Sequence, residues 1–283
     1  VAIEDPNDFI LLNRNETDWD YVEPELIESM GDDVRVKGYF PETKFSNELL
    51  SIIKSRVDSL IDFGLDKGKG EIIINTVKEE NWANAWKKYF KPFKAGEKIV
   101  IKPTWEEYEA QDDDIMIEID PGMAFGTGNH ETTLMCIKLL EKYVKSGYKV
   151  YDVGCGSGIL GITAAKLGAE DVLCVDFDQV ACKVAEENVK VNGEEKRIEV
   201  KNCNLLDAAT EEADLIVANI IADIIISFTP QALRFLKPDG IFISSGIISD
   251  RRDDVINELN KHQFSILEIS QMGEWCAIAA KRD

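Results

Sequence analysis

The residues best suited to chemistry lie in Lys149–Leu160, Lys-Val-Tyr-Asp-Val-Gly-Cys-Gly-Ser-Gly-Ile-Leu. Val150–Val153 predicts a short buried strand, Gly154–Gly158 a tight turn, and Ile159–Leu167 the beginning of a helix. A strand, a glycine turn and a helix N-terminus present backbone N–H groups to a ligand with no Cβ in the way. Alone, such a turn indicates only a nucleotide-like ligand. The run Gly154-x-Gly156-x-Gly158 departs from the dinucleotide fingerprint, whose next small residue would fall where Ile159 stands. Asp152, two residues before the first glycine, repels a pyrophosphate but accepts a hydrogen bond from an ammonium group. A second apolar strand, Val172–Val175, leads into Asp176, about twenty residues downstream, where an acid can grip both hydroxyls of a ribose. An ammonium-bearing tail joined to an adenosine describes S-adenosylmethionine, with Asp152, Gly154, Gly156 and Asp176 as contacts. The alternative is a nicotinamide site with a degenerate third glycine.

A second stretch, Met123–Thr133, reads Met-Ala-Phe-Gly-Thr-Gly-Asn-His-Glu-Thr-Thr. Gly126 and Gly128 predict a sharply bent loop, followed by a helix with Leu134, Ile137, Leu140 and Val144 inward. Thr132 and Thr133 stand in its first turn, where their hydroxyls can reach an anion or a carboxylate. A lone histidine is more often a structural hydrogen-bonder than a catalyst, and His130 is balanced between that role and lining the site. Farther on, Asn219 ends the apolar run Leu215–Asn219. Its amide is a candidate to bind the donor's amino-acid portion or to orient an incoming amine. Asn204 falls where an adenine edge can be read.

The elements that must position these residues follow from periodicity. Strands are predicted at Val150–Val153, Val172–Val175, Ile198–Lys201, Leu215–Asn219 and Ile241–Ser244, with helices such as Asp178–Asn192 and Ala222–Leu236 between them. That alternation predicts an α/β fold, a doubly wound Rossmann-like parallel sheet with ligands at the carboxyl ends of its strands and Leu215–Asn219 beside the first strand. After a helix over Asp250–Asn260, Ser265–Ile269 and Trp275–Ala280 are too close to be anything but an antiparallel hairpin at the sheet's end. Residues 1–80 predict a small α+β, ferredoxin-like unit. It comprises a strand over Val34–Phe40, a helix capped by Ser46 running to about Phe63 and including Ile61 on its apolar face, and a strand over Glu71–Val77. Asn81–Phe90 predicts a short aromatic helix with Trp82, Trp86 and Phe90 on one face. Lys98–Lys102 and Ile115–Ile119 predict further strands. The domains expected are therefore 1–80 for recognition, 81–95 as a helical linker and 96–283 for catalysis.

Composition narrows the class. Hydrophobic content of 45% with 30% charged residues is that of a water-soluble globular chain, with no run long enough to span a bilayer and no signal-peptide pattern. The six scattered cysteines include no Cys-x-x-Cys pair, which suits buried thiols in a reducing cytoplasm, and two histidines argue against a His-based metal site. A net charge of −21 opposes nucleic-acid binding and favours a basic partner, although acidity also simply keeps proteins soluble. The acidic passage Glu106–Asp114 is either a solvated loop or a funnel for a lysine-bearing substrate.

Taken together, Asn81–Phe93 with Trp105, Asp120–Thr133, Asp152–Ile159, Ala218–Ile221 and Gly273-Glu274-Trp275-Cys276 resemble the PrmA-type ribosomal protein methyltransferases. Those enzymes act on the eleventh-numbered protein of the large ribosomal subunit. The Asp-Pro-Gly-Met-Ala-Phe-Gly-Thr-Gly run is the most specific part of the match. The resemblance implies that Thr133, Gly154, Asp176 and Asn219 contact the donor. It also implies that an N-terminal domain recognises the substrate, and that several amines, lysine side chains among them, are trimethylated. Asn129, Glu131 and Ile221 differ from residues frequent in the family, which normally also has a strand and helix before the point where Val1 stands. The expected protein is a cytoplasmic, monomeric, S-adenosylmethionine-dependent protein-lysine methyltransferase, with no catalytic residue assigned. The alternatives are a methyltransferase for another protein or a small-molecule amine, and a non-catalytic module that binds the donor.

Overall fold

The computed structural model describes residues 2–4, 35–38, 45–74, 90–120, 126 and 128–283. The chain divides into two units, Val1–Ala85 and Trp86–Asp283. In the first, β1 (Ala2–Glu4) pairs antiparallel with β2 (Arg35–Lys37), Ile3 opposite Val36. Helix α1 (Asn47–Asp58) begins as predicted, with Ser46 Oγ accepting from Leu49 N at 3.1 Å. Leu49, Leu50, Ile53 and Val57 share its half-buried face, which Leu60 just beyond it continues. Ile61 does not, because Ser59–Phe63 tightens into a 3₁₀ turn of about three residues per turn, which rotates it into solvent at 60% exposure. Gly64 closes the element in the left-handed conformation. Glu71–Ile74 has no regular structure, so the strand expected at Glu71–Val77 is absent over its described residues, and 75–77 lie outside them. The aromatic helix expected over Asn81–Phe90 lies outside them as well, apart from Phe90.

In the second unit, β3 (Phe93–Lys94), β4 (Ile99–Lys102) and β5 (Ile115–Glu118) form a small sheet, antiparallel between β3 and β4 and parallel between β4 and β5. Helix α2 (Glu131–Tyr143) holds it: both Glu141 carboxylate oxygens accept backbone N–H groups, of Glu97, Lys98 and Ile99, at 2.7–2.9 Å. The main sheet follows, from β6 (Lys149–Val153), α3 (Ile159–Lys166), β7 (Asp171–Asp176), α4 (Gln179–Val191), β8 (Ile198–Asn202) and β9 (Ala213–Asn219). It is completed by α5 (Ala222–Phe235), β10 (Leu236–Ile248), α6 (Arg252–Lys261), β11 (Phe264–Met272) and β12 (Trp275–Arg282).

Its strand order is β11-β12-β10-β9-β6-β7-β8, parallel from β8 to β10 and antiparallel at β12 and β11. The hairpin is where it was expected in the chain, but its second strand lies inside, between β10 and β11. Residues Cys276–Ala280 are all buried, so this apolar strand takes the interior position, while β11, after a buried Phe264, alternates exposed and half-buried residues at the edge.

The two-residue period of the strands sorts the core into two layers. Val150, Val172, Cys174, Leu215 and Val217 pack towards α2, α3 and α4. Tyr151, Val153, Leu173, Ile216 and Ala218 pack towards α5 and α6, where Phe228 meets Phe242 edge-on and Phe242 meets Phe264 at a tilt, with centroids 5.8–5.9 Å apart. All six cysteines are free thiols and five are buried. Among the described residues no helix is long and apolar enough to cross a membrane.

Candidate active site

The carboxyl ends of β6, β7 and β9, three neighbours in the sheet, bring the predicted residues together. Gly154 N and Cys155 N both donate to Val175 O, at 2.9 and 3.0 Å, which folds the turn over the end of β7. Gly154 has φ +74°, and a Cβ there would lie 2.4 Å from Ile220 Cγ2, so the position excludes side chains by conformation and by space. Gly158, also left-handed, starts α3 as its N-cap.

Asp176 closes the turn from the neighbouring strand. Its Oδ2 accepts from Gly156 N and its Oδ1 from Asp178 N, each at 2.9 Å. Each carboxylate oxygen keeps a further lone pair, the arrangement two ribose hydroxyls require. Beside it Phe177 is 82% exposed, a large apolar surface missing from the sequence reading. Asn202 Nδ2 donates to the carbonyls of Asp176 and Phe177 at 3.0 and 2.8 Å and so fixes this corner. Asn204 is exposed in the turn that follows, its carbonyl accepting from Asp207 N.

Asp152 is deeper than the other predicted contacts. Strand alternation turns it towards α3, where it is fully buried and Oδ2 accepts from Gly161 N at 2.8 Å. Oδ1 is buried with no hydrogen-bond partner. Burial, reinforced by the charge of Asp176 and opposed by the Gly161 bond, pushes its carboxyl up to about 7. An orphaned carboxylate oxygen under a glycine turn is the kind of group that an ammonium would satisfy.

The first turn of α2 meets the end of β9. Asn219 Nδ2 donates to Thr132 Oγ1 at 3.2 Å and to Thr133 Oγ1 at 3.4 Å, and both threonines are 1% exposed. Their hydroxyls thus engage Asn219, a partner that proximity in sequence does not supply. His130 is the N-cap of α2: its Nδ1 accepts from Thr132 N at 3.3 Å and lies 2.8 Å from Thr132 Oγ1. Trp275, from β12, meets the imidazole edge-on at 5.3 Å. Ser245 Oγ donates to Thr132 O, tying the same turn to β10.

Two asparagines, one on α4 and one at its C-cap, were also missed. Asn188 Nδ2 donates to Ser157 O in the glycine turn, and its Oδ1 accepts from Asp120 N, where the Asp-Pro-Gly run begins. One turn later, Asn192 exchanges both amide bonds with the backbone of Glu118. Ser157 Oγ also donates to Gly126 O at 2.7 Å. The signal was the i, i+4 asparagine pair on the buried face of a helix, where polar side chains need defined partners. Of the Met123–Thr133 loop, residues 123–125 and 127 lie outside the described residues.

The acidic passage is partly structural. Asp114 has its side chain buried and takes bonds from Gln111 N, Tyr108 Oη and Lys94 Nζ, which hold its carboxyl below the usual range. Glu106 pairs with Lys91 at 2.8 Å, whereas Glu107, Glu109, Asp112 and Asp113 are exposed. A depression of about 290 Å³ lined by Glu97, Glu141 and Lys166 lies at the far end of α3 from the glycine turn and contains none of the site residues.

The family model for ribosomal protein L11 methyltransferase (PrmA) matches residues 1–283. The ribosomal protein L11 methyltransferase of Alkaliphilus oremlandii is 51% identical over 281 residues, 99% of this chain and 90% of its own length. That of Clostridium perfringens (strain ATCC 13124) is 49% identical over the same coverage. The crystal structure of a ribosomal protein L11 methylase from Lactobacillus delbrueckii subsp. bulgaricus superposes with a TM-score of 0.65 at 36% identity, covering 69% of this chain and all of the other. With the sheet order, the glycine turn and these matches in agreement, the chain belongs to the PrmA family of ribosomal protein L11 methyltransferases.

Proposed function

We propose that the chain transfers methyl groups from S-adenosylmethionine to amines of ribosomal protein L11, lysine side chains among them. The observation that carries this reading is the convergence of the Gly154–Gly158 turn, Asp176 and Asn219 at the carboxyl ends of three adjacent parallel strands. The residues present fit the donor. Asp176 has lone pairs for the ribose, Phe177 an apolar face for the base, and the Gly154 and Gly156 backbone lies open to close approach. The orphaned Asp152 Oδ1 suits the ammonium, and Thr133 supports Asn219 from behind.

Bound there, the donor supplies a methyl group already activated by its sulfonium. The protein's task is then positional: a neutral amine must be held about 3 Å from the methyl carbon and in line with the breaking bond. Partial burial of a lysine lowers its pKa and frees the lone pair. Asn219, half-buried at the mouth, is placed to orient that amine. No side chain need act as general base, since water can take the proton before attack. Unit Val1–Ala85 is assigned to substrate recognition and Trp86–Asp283 to transfer, in a cytoplasmic monomer whose described site residues all come from the second unit.

The test is to incubate the protein with methyl-labelled donor and a mixture of large-subunit ribosomal proteins. Label is expected in L11, on amines. Label confined to another protein would overturn the substrate, and donor binding without transfer would make the chain a binding module.

A further inference from the structure

We propose that His130 is a positioning residue for methyl transfer, setting through Thr132 which end of the Asn219 amide faces the incoming amine. The inference deepens the function proposed above and rests on it. Thr132 N–H belongs to the first turn of α2, whose backbone donors have no partner within the helix, and it points at His130 Nδ1 at 3.3 Å. An Nδ1 that accepts carries no hydrogen, so the ring proton of the neutral imidazole sits on Nε2. That one lone pair is shared, in a three-centre bond, between the Thr132 N–H and the nearer Thr132 hydroxyl 2.8 Å away, and Oγ1 must be the donor of its bond. A hydroxyl has one hydrogen. With it spent on His130, Thr132 Oγ1 can only accept from Asn219, and only the Nδ2 end of an amide donates. Thr133 Oγ1 faces the same nitrogen. Trp275 packs edge-on against the imidazole and fixes its plane.

The consequence is chemical. With Nδ2 held by two threonines, Oδ1 is the end presented to the substrate. An amide oxygen accepts an N–H of the amine and leaves the nitrogen lone pair free for attack. The opposite tautomer reverses the relay: Nδ1–H donates to Thr132, Thr132 donates to Oδ1, and the amide N–H then caps the lone pair that must react.

Imidazole ¹⁵N shifts in the full chain test the tautomer directly, because His262 is the only other histidine and His262→Gln assigns the signals. Nδ1 is expected as the unprotonated nitrogen at neutral pH, and a dominant Nδ1–H form would overturn the proposal. Thr132→Val removes the hydroxyl but leaves the backbone cap on His130. It is expected to lower kcat about tenfold or more while donor affinity stays within about twofold, and Thr132→Ser is expected to recover most of the rate. Parental kcat in Thr132→Val would also overturn the relay. Asn219→Ala tests the underlying reading separately. Parental kcat there removes Asn219 from the site, whereas loss of kcat there beside an unaffected Thr132→Val discards the relay alone.

Discussion

At Asp152 a carboxylate occupies a strand position whose neighbours Val150, Val172 and Val217 are core residues. Because its carboxyl is pushed up to about 7, the folded chain holds a proton that the unfolded chain releases near the ordinary value of 3.8. The sign follows: stability should fall as pH rises between those values, by about 1.4 kcal/mol per pH unit. Denaturation midpoints of the parent and of Asp152→Asn across pH 4–7 check this, and parallel curves would mean the carboxylate is charged throughout. If Oδ1 meets the donor's ammonium, the parent should also bind donor more tightly as pH passes about 7, and the variant should not. Asp176 acts differently, as a half-exposed acceptor. Asp176→Ala should weaken donor binding by about 2–4 kcal/mol, with Asp176→Asn intermediate because its one remaining oxygen can accept from either Gly156 N or Asp178 N but not replace both carboxylate oxygens. Calorimetry showing an affinity within about twofold of the parent would sink the ribose assignment.

Among the elements, α4 matters beyond its packing. Asn188 joins Ser157 O in the glycine turn to Asp120 N at the head of the second loop, and Ser157 reaches Gly126 in that loop. Donor turn and loop are therefore fastened to one another through a helix that contributes no predicted site residue. Asn188→Ala strands a buried carbonyl and a partly buried N–H. Its expected cost is about 1–3 kcal/mol in urea unfolding, together with weaker donor binding as the turn loosens. Asn192→Ala should share the stability loss but spare the donor, since its bonds reach only Glu118, Asn188 and Lys166. An unchanged urea midpoint for Asn188→Ala would show that the clamp is dispensable.

At the scale of the molecule the distribution of charge and the two units set the predictions. The exposed acids Glu107, Glu109, Asp112 and Asp113 are available to steer a basic substrate, whereas Asp114 is bound into the fold. Neutralising those four, with Asp114 kept, should lower kcat/KM at low ionic strength, flatten its salt dependence and leave donor affinity alone. Parental kcat/KM at low salt would reduce the passage to a solvated loop. A fragment from Trp86 onward, which keeps β3 paired to β4, should bind donor with parental affinity and lose methylation of intact L11. Full activity in that fragment would give Val1–Ala85 another role.

Much of this was legible in the chain because it is local. Short continuous apolar runs mark buried strands, Ser46 and the left-handed Gly64 bound a helical stretch, and a glycine run between strand and helix has few backbone solutions. Those features sufficed for the sheet, for the donor turn and for placing Asp176 and Asn219 at strand ends. Tertiary structure decided the partners. The Thr132 and Thr133 hydroxyls meet Asn219, 87 and 86 residues away, because β9 lies beside β6 and the start of α2 crosses above it. The depth of Asp152 depends on α3 packing over one face of β6, and the insertion of β12 depends on an apolar strand finding an interior slot. A hydrogen bond or a burial needs two segments at once, and the type of a single residue specifies what it can accept without specifying which distant segment will offer it.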